Sequence, residues 1–301
     1  MLGGILAAMP GAVAQGLLWG VMALGVYVTF KVLDYADLTV DSSICTGGAV
    51  SAVLILKGMN PLLTLVFSIL AGMATGAITG FLHTKLKIPP ILSGILTQLG
   101  LYSVNMRIMG KSNLSLNSNK LSQPTVISLG NVNQSILISV VFVAAVIGVL
   151  YWFFGTELGS AVRATGNNSH MVRALGVNTN SMIILGLILS NGLVGLAGGL
   201  LAQFQGYADI NMGRGAIVIG LASVIIGEVI FGVRFNFAYQ LGSIVCGAII
   251  YYIIIAVVLQ CGLQTTDLKL FSAVIVALAL SLPLFKNKML KHKKAVVAEK
   301  E

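Results

Sequence analysis

Residues 155–181 read GTELGSAVRATGNNSHMVRALGVNTNS, the longest stretch of this chain that hydrocarbon cannot hold, and long apolar runs flank it on both sides. Leu158, Ala161, Val162 and Thr165 place a less polar stripe on one short helix, and Met171, Val172 and Leu175 do the same on a second. Thr156 is positioned to cap the first helix, with Glu157 beside its positive end, and Gly166 to break it. Asn167 or Asn168 caps the second helix, and Gly176 closes it in the left-handed conformation. Two amphipathic helices at a membrane face amount to a docking surface.

Outward from this loop the chain reads as membrane. Of its 301 residues 57% are hydrophobic and 9% charged, and the mean hydropathy is +0.96, whereas a soluble domain carries roughly 25% charged residues. Nine apolar runs approach the length that crosses a bilayer, near 11–33, 39–56, 61–84, 90–109, 133–154, 182–206, 215–232, 236–259 and 268–285. The second is short and opens TVDSSICTGG, the mark of a broken or re-entrant segment. The first residues, MLGGILAAMPG, lack the basic start of a cleavable signal, so the first span is expected to stay. Residues 1–285 form one transmembrane domain and 286–301 a basic tail.

The net charge of +9 sits in loops and in that tail, which points to lipid headgroups and topology rather than nucleic acid. Nine crossings with a cytoplasmic tail put Lys31, Lys85, Lys87, Arg163, Arg173, Arg234 and six tail lysines inside, against Lys57, Arg107, Lys111, Lys120, Arg214 and Lys269 outside. The positive-inside rule thus sets the amino terminus outside and makes the 155–181 loop cytoplasmic.

An offset of 172 residues aligns Tyr35-Ala36-Asp37-Leu38 with Tyr207-Ala208-Asp209-Ile210, and matches Leu17 with Leu189, Gly20 with Gly192, Leu24 with Leu196, Gly48 with Gly220 and Ser51 with Ser223. Asp37 is expected near the inner face and Asp209 near the outer, so spans one to four and six to nine read as an inverted-topology repeat joined by the fifth. Chance similarity between apolar segments is the competing reading.

Polar residues within apolar spans are functional candidates by default. Asp34, Asp37 and Asp41 recur around the second span, with Ser43 just inside it; Thr97, Gln98 and Asn105 mark the fourth, Asn191, Gln203 and Gln205 the sixth, and Glu228 the end of the seventh. Gln98, Asn105, Asp41, Ser43, Asn191 and Gln203 are the candidates to line a hydrated path. Local roles compete: Asp37 and Asp41 are placed to cap a broken helix, and Lys31 to pair with Asp34 if the first span stays helical that far. Gly72, Gly76 and Gly80, like Gly195 and Gly199, have the small-residue spacing of close helix packing.

Catalytic readings fare poorly. Gly110-Lys111-Ser112 resembles the end of a phosphate-binding loop, but Asn105 stands where its first glycine belongs and no strand precedes it. His83, His170 and His292 are scattered, so no metal site is expected, and no cofactor. No second carboxylate motif partners Asp34, Asp37 or Asp41 for aspartyl chemistry. Cys45, Cys246 and Cys261 read as packing residues. Asn113-Leu114-Ser115 and Asn133-Gln134-Ser135 match the common glycosylation pattern.

The segments LDYADLTVDSS, GFLHTKLKIPPILSGILT, LYSVNMRIMGKSNLSL, RATGNNSHMVRALGVN and GYADINMGRGAIVIGLASVIIGE occur here in that order. On them the sequence resembles the permease subunits of bacterial ABC importers in the branched-chain amino acid and ribose permease family, over nearly its whole length. It is most similar to a subgroup partnered with lipoprotein-type binding proteins, some members of which are assigned to aromatic amino acids such as tryptophan. The resemblance implies a two-subunit pore, a homodimer or a pair of close relatives, whose cytoplasmic loop rests on an ATP-binding subunit, with an extracytoplasmic binding protein delivering solute. It carries the coupling role onto Glu157, Arg163, Gly166, Asn167, Arg173, Ala174, Gly176 and Asn178. Cys45 departs from the small or apolar residue frequent in relatives. The expectation is an all-α integral membrane permease of about nine transmembrane helices in the bacterial inner membrane, moving a small polar solute and carrying no ATPase motif of its own. An ion-coupled secondary transporter or channel is the alternative.

Overall fold

A computed structural model describes residues 2–116, 125–232, 236–262, 267, 270–278 and 281. Ten helices account for most of them: α1 (Leu2–Tyr27), α2 (Val40–Leu56), α3 (Pro61–Thr84), α4 (Pro90–Met109), α5 (Val132–Gly155), α6 (Glu157–Asn167), α7 (Ser169–Ala174), α8 (Thr179–Gln205), α9 (Ala216–Phe231) and α10 (Phe237–Gln260). A π-helical turn, Val28–Val32, extends α1. Among the described residues five helical stretches are long and apolar enough to cross a membrane, and α2 and α9 are shorter apolar helices. The first eight expected apolar runs fall on helices, α1 to α5 and α8 to α10, but α4 is neither one of the five long apolar stretches nor one of the shorter apolar helices; of the ninth run, residues 270–278 are helical. The basic tail lies outside the described residues.

Local chemistry sets the ends. Asn60 accepts the Leu62 amide at 3.0 Å ahead of Pro61, and Pro90 opens α4, in each case a proline where a helix start has no hydrogen bond to lose. In the interior, where lipid tails compete on equal terms with apolar side chains, small residues and hydroxyls carry the packing. The seam of α3 on α8 is the most extensive; Gly72 and Gly76 lie against the Asn191 and Leu187 carbonyls, and Ser68 Oγ reaches the Gly47 carbonyl at 2.9 Å. Cys45 is buried, but Cys246 and Cys261 are exposed, so only the first of the three cysteines packs inside.

α1 and α8 run antiparallel: Gly25 meets Ser190 and Val194, while Leu33 meets Gly186. Contacts recur at the 172-residue offset. Gly48 packs on Gly198 and Gly220 on Val26; Gly20 packs on Val245 and Gly192 on Met73. The Thr39 amide donates to Asp37 Oδ1 at 2.9 Å, and the Asn211 amide to Asp209 Oδ1 at 2.7 Å.

Loops gather at two ends. One holds the end of α1, the α3–α4 turn and the α6–α7 loop; at the other, β1 (Asn113–Ser115) pairs antiparallel with β2 (Tyr207–Asp209), a short ribbon within an otherwise helical body. α2 is one continuous helix, not broken within, but it begins in the interior: Thr39 and Val40 are fully buried. Asp37 bonds Asn191, twelve residues into α8 and so about 18 Å from that helix's start. It therefore lies deeper than its expected place near a face.

Candidate coupling loop and polar core

The 155–181 segment folds as two helices set by local caps. Thr156 Oγ1 accepts the Gly159 amide at 3.3 Å, Asn168 Oδ1 the Met171 amide at 3.0 Å, and Asn178 Oδ1 the Asn180 and Ser181 amides at 3.1 and 3.3 Å. Gly176, at φ +84°, closes α7 in the left-handed region, where a Cβ is strained. Gly166 does not break α6, which continues through Asn167. It is a contact residue instead, since a methyl added there would overlap the Val32 carbonyl and crowd Leu33.

Val162, Thr165 and Val172 turn inward, whereas Leu158, Met171 and Leu175 are exposed, the last to 74%. The expected apolar stripes are thus divided, half seating the loop and half projecting. Glu157, Arg163, Asn167, Arg173, Ala174, Gly176 and Asn178 are exposed too. The Arg163 guanidinium lies 4.6 Å from the Phe237 ring centroid and 5.5 Å from that of Phe154, and Arg173 Nη2 donates to Thr179 Oγ1 at 2.9 Å. These cation–π contacts hold Arg163 between α5 and α10.

Clefts flank the Gly166 contact. One of about 840 Å³ includes Tyr27, Lys31, Asp34, Arg163 and Gln240; another of about 380 Å³ includes Asp34, Tyr35, His83 and His170. His83 and His170 thus share a cleft, yet no set of three metal-ligating side chains occurs among the described residues. Lys31 pairs with Glu228 at 2.9 Å rather than with Asp34, because the chain leaves the helix after Val32 and Asp34 takes a left-handed conformation at φ +52°.

Inside, a chain of polar side chains runs from that end toward the middle. Tyr35 Oη and Ser93 Oγ share a bond of 2.7 Å; Thr39 and Thr79 hydroxyls meet at 2.7 Å; Thr79 donates to Thr97 at 3.0 Å. Deeper, Asn191 Nδ2 donates to Asp37 Oδ2 at 2.7 Å, its Oδ1 accepts from Ser43 at 2.6 Å, and Ser43 shares a further 2.6 Å bond with Thr75. Gln203 belongs to a second cluster, donating to Ser51, Thr64 and the Pro61 carbonyl while its Oε1 accepts the Val126 amide at 3.1 Å. Thr75 and Thr79 escaped the sequence reading, although they share a face of α3 with Gly72 and Gly76.

The starts of α2 and α9 meet in the interior. Asp41, in the first turn of α2, accepts the Gly215 amide on Oδ2 and the Ile217 amide on Oδ1, both at 3.0 Å. Its negative charge thereby caps the positive end of α9. Gly213 packs on the Asp41 carbonyl and donates its amide to Cys45 Sγ at 3.3 Å. On α4, Ser42 Oγ reaches the Gln98 carbonyl at 3.1 Å, and buried Asn105 donates weakly to the Ser42 carbonyl at 3.5 Å, its own Oδ1 having no partner among the described residues. Of the path candidates, Ser43 and Asn191 therefore share one cluster, Asp41, Gln98 and Asn105 surround the first turn of α2, and Gln203 stands apart.

The described residues thus form a helical membrane body with polar clusters in an apolar interior and a helical loop protruding at one end. A family profile described as branched-chain amino acid transport system / permease component matches residues 5–281. The chain is 41% identical over 263 residues to a tyrosine transport system permease protein of Clostridioides difficile (strain R20291), covering 87% of this chain and 86% of that one. It is 33% identical over 273 residues to an uncharacterized protein of Rickettsia prowazekii (strain Madrid E), covering 90% and 95%. An autoinducer 2 import system permease protein of Yersinia enterocolitica is 30% identical over 176 residues, 57% of this chain and 47% of that one. No solved structure matches. The chain belongs to the family of permease components of branched-chain amino acid transport systems, the membrane subunits of ABC importers.

Proposed function

We propose that this permease moves a small polar solute, an amino acid or close relative, inward across a bacterial inner membrane, driven by a separate ATP-binding subunit that grips the 155–181 loop. The observation that carries the reading is the division of that loop: Val162, Thr165 and Val172 seat it, while Leu158, Met171 and Leu175 project from it with Glu157, Arg163, Asn167, Arg173, Ala174, Gly176 and Asn178 around them. The cytoplasmic side is the loop's side, and the amino terminus lies outside, as the lysine and arginine distribution favours.

Two inverted halves rock about the interior meeting of α2 and α9. The antiparallel α1 and α8, the contact pairs repeated at 172 residues and the matching Asp37 and Asp209 turns support this arrangement. Two copies of the chain enclose the path, which follows Asp41, Ser43, Gln98 and Asn105 and is bounded by Asn191 and Gln203. A lipid-anchored binding protein delivers solute to the outer loops at 110–132 and 207–214.

Tyrosine is the first solute to try, given the 41% identical relative. Affinity purification from native membrane is expected to bring down an ATP-binding subunit, and proteoliposomes of that complex to take up labelled amino acid only with ATP. Uptake by the isolated chain under an ion gradient would overturn the reading in favour of a secondary transporter.

A further inference from the structure

The loop that meets the ATP-binding subunit and the interior start of α2 are joined by a short irregular link, and its geometry assigns it a route. α1 ends in the π turn Val28–Val32, and π turns within helices occur frequently at functional sites. Asp34 then reverses the chain at φ +52°. Gly166 of α6 rests on Val32 and Leu33, just ahead of this reversal, and the two clefts on either side leave space for α6 to tilt about that contact. Beyond the reversal, Asp37 is held by Asn191 at 2.7 Å, and Asn191 also accepts from Ser43 in the first turn of α2 at 2.6 Å.

One amide thus fixes both sides of the link. Its bond to the Asp37 carboxyl, at 2.7 Å and closed off from water, is one that an apolar side chain at 191 cannot replace. Its Nδ2 donates also to the Leu187 carbonyl at 3.0 Å, which anchors the amide to α8. We infer that Asp37 and Asn191 are positioning residues that pass the movement of the 155–181 loop, received at Val32 and Leu33, to the start of α2 beside Asp41. The inference rests on the coupling role proposed above and adds the internal route. Neither residue need touch solute.

The test uses the full chain in complex with its ATP-binding subunit in nanodiscs, with hydrogen exchange at residues 28–46 and 155–181 read with and without ATP and vanadate. In the wild-type complex both segments are expected to change. With Asn191→Leu the loop still responds and the change at 34–46 is lost. Ser43→Ala is milder, since it leaves Asp37 paired; here the response persists through residue 39 and is lost beyond residue 40. Thr64→Val, in the other cluster, responds as the wild type. A merely structural role would alter both segments together or neither. Undiminished change at 40–46 in Ser43→Ala, or a wild-type complex in which the loop responds and 34–46 does not, overturns the route. Purification without any ATP-binding subunit would instead overturn the reading beneath it.

Discussion

The Lys31 ammonium and the Glu228 carboxylate meet at 2.9 Å and tie the end of α1 to the end of α9. The pair is asymmetric, with the Lys31 side chain 43% exposed and that of Glu228 13%. Removing the lysine leaves a nearly buried carboxylate alone, whereas removing both leaves an apolar seam. Lys31→Ala is expected to lower stability by about 1 kcal/mol, the exposed lysine holding the effect to that of a screened pair. The double variant Lys31→Met with Glu228→Leu should be closer to wild type. Thermal unfolding of the three proteins in detergent reads the difference; equal losses in the lysine variant and the double variant would deny the tie.

Gly166 has space for no side chain. A methyl there overlaps the Val32 carbonyl, so Gly166→Val must push α6 off the end of α1, with overpacking of about 1–3 kcal/mol. Because the damage falls at the loop's seat and not in the spans, insertion should be normal, ATP hydrolysis by the complex should persist, and uptake should fail. Western blotting of membranes alongside ATPase and uptake assays checks all three; normal uptake removes Gly166 from the coupling set.

Arg163 acts through its plane as well as its charge. Its Cζ lies 4.6 Å from the Phe237 centroid, and the broad guanidinium covers a ring more fully than a lysine ammonium does. Arg163→Lys is therefore expected to lose about 0.5–1 kcal/mol of loop anchoring, seen as faster proteolysis within 155–181, and Phe237→Leu should match it. If only Arg163→Ala has an effect, charge alone matters.

These cases show what the sequence could and could not display. Caps are local, so Thr156, Asn168 and Gly176 were legible from residues one turn away, and the spans from apolar run length. Partners distant in the chain were not. Gly166 reads as a helix breaker because its neighbour Val32 belongs to the first span, and Lys31 has only the conditional local option of Asp34 because Glu228 lies near the end of α9. The likeness of Tyr35-Ala36-Asp37 to Tyr207-Ala208-Asp209 is visible in the sequence, but the depth of Asp37 is not, since span limits carry no record of a helix that starts in the interior. Thr75 and Thr79 were passed over because hydroxyls are common in apolar spans, and only their facing partners mark them out.

Asp41 caps α9 from another helix, accepting two amides at 3.0 Å. Asp41→Asn keeps one acceptor oxygen and loses the charge that opposes the helix dipole, an expected loss of about 0.5–1 kcal/mol. Asp41→Ala removes both bonds and should lose about 1–2 kcal/mol. Hydrogen exchange at 215–219 reports the cap directly, rising in the order wild type, Asn, Ala. Equal exchange in all three would mean that α9 starts without this carboxylate.

The exposed faces of α4 and α5 differ in kind. Between residues 137 and 149 every exposed residue of α5 is apolar or glycine, Leu137 reaching 67%, as a face against lipid requires. α4 exposes Tyr102, Ser103 and Arg107 over its second half, interleaved with exposed Gly100 and Val104, next to Gln98 and to an Asn105 Oδ1 that has no partner among the described residues. Polar groups on a helix of a membrane body belong against water or another protein, so this face is the one expected to meet the proposed path and the proposed partner copy. Tyr102→Leu and Ser103→Leu should reduce uptake while leaving the amount of protein in the membrane unchanged. Leucine at Val141 and Val149 of α5 should change neither. Cysteines at 102 and 103 should react with a water-soluble maleimide from the outside, and a cysteine at 141 should not. Labelling at 141 equal to that at 103 would place water on the wrong helix and overturn the assignment of the path.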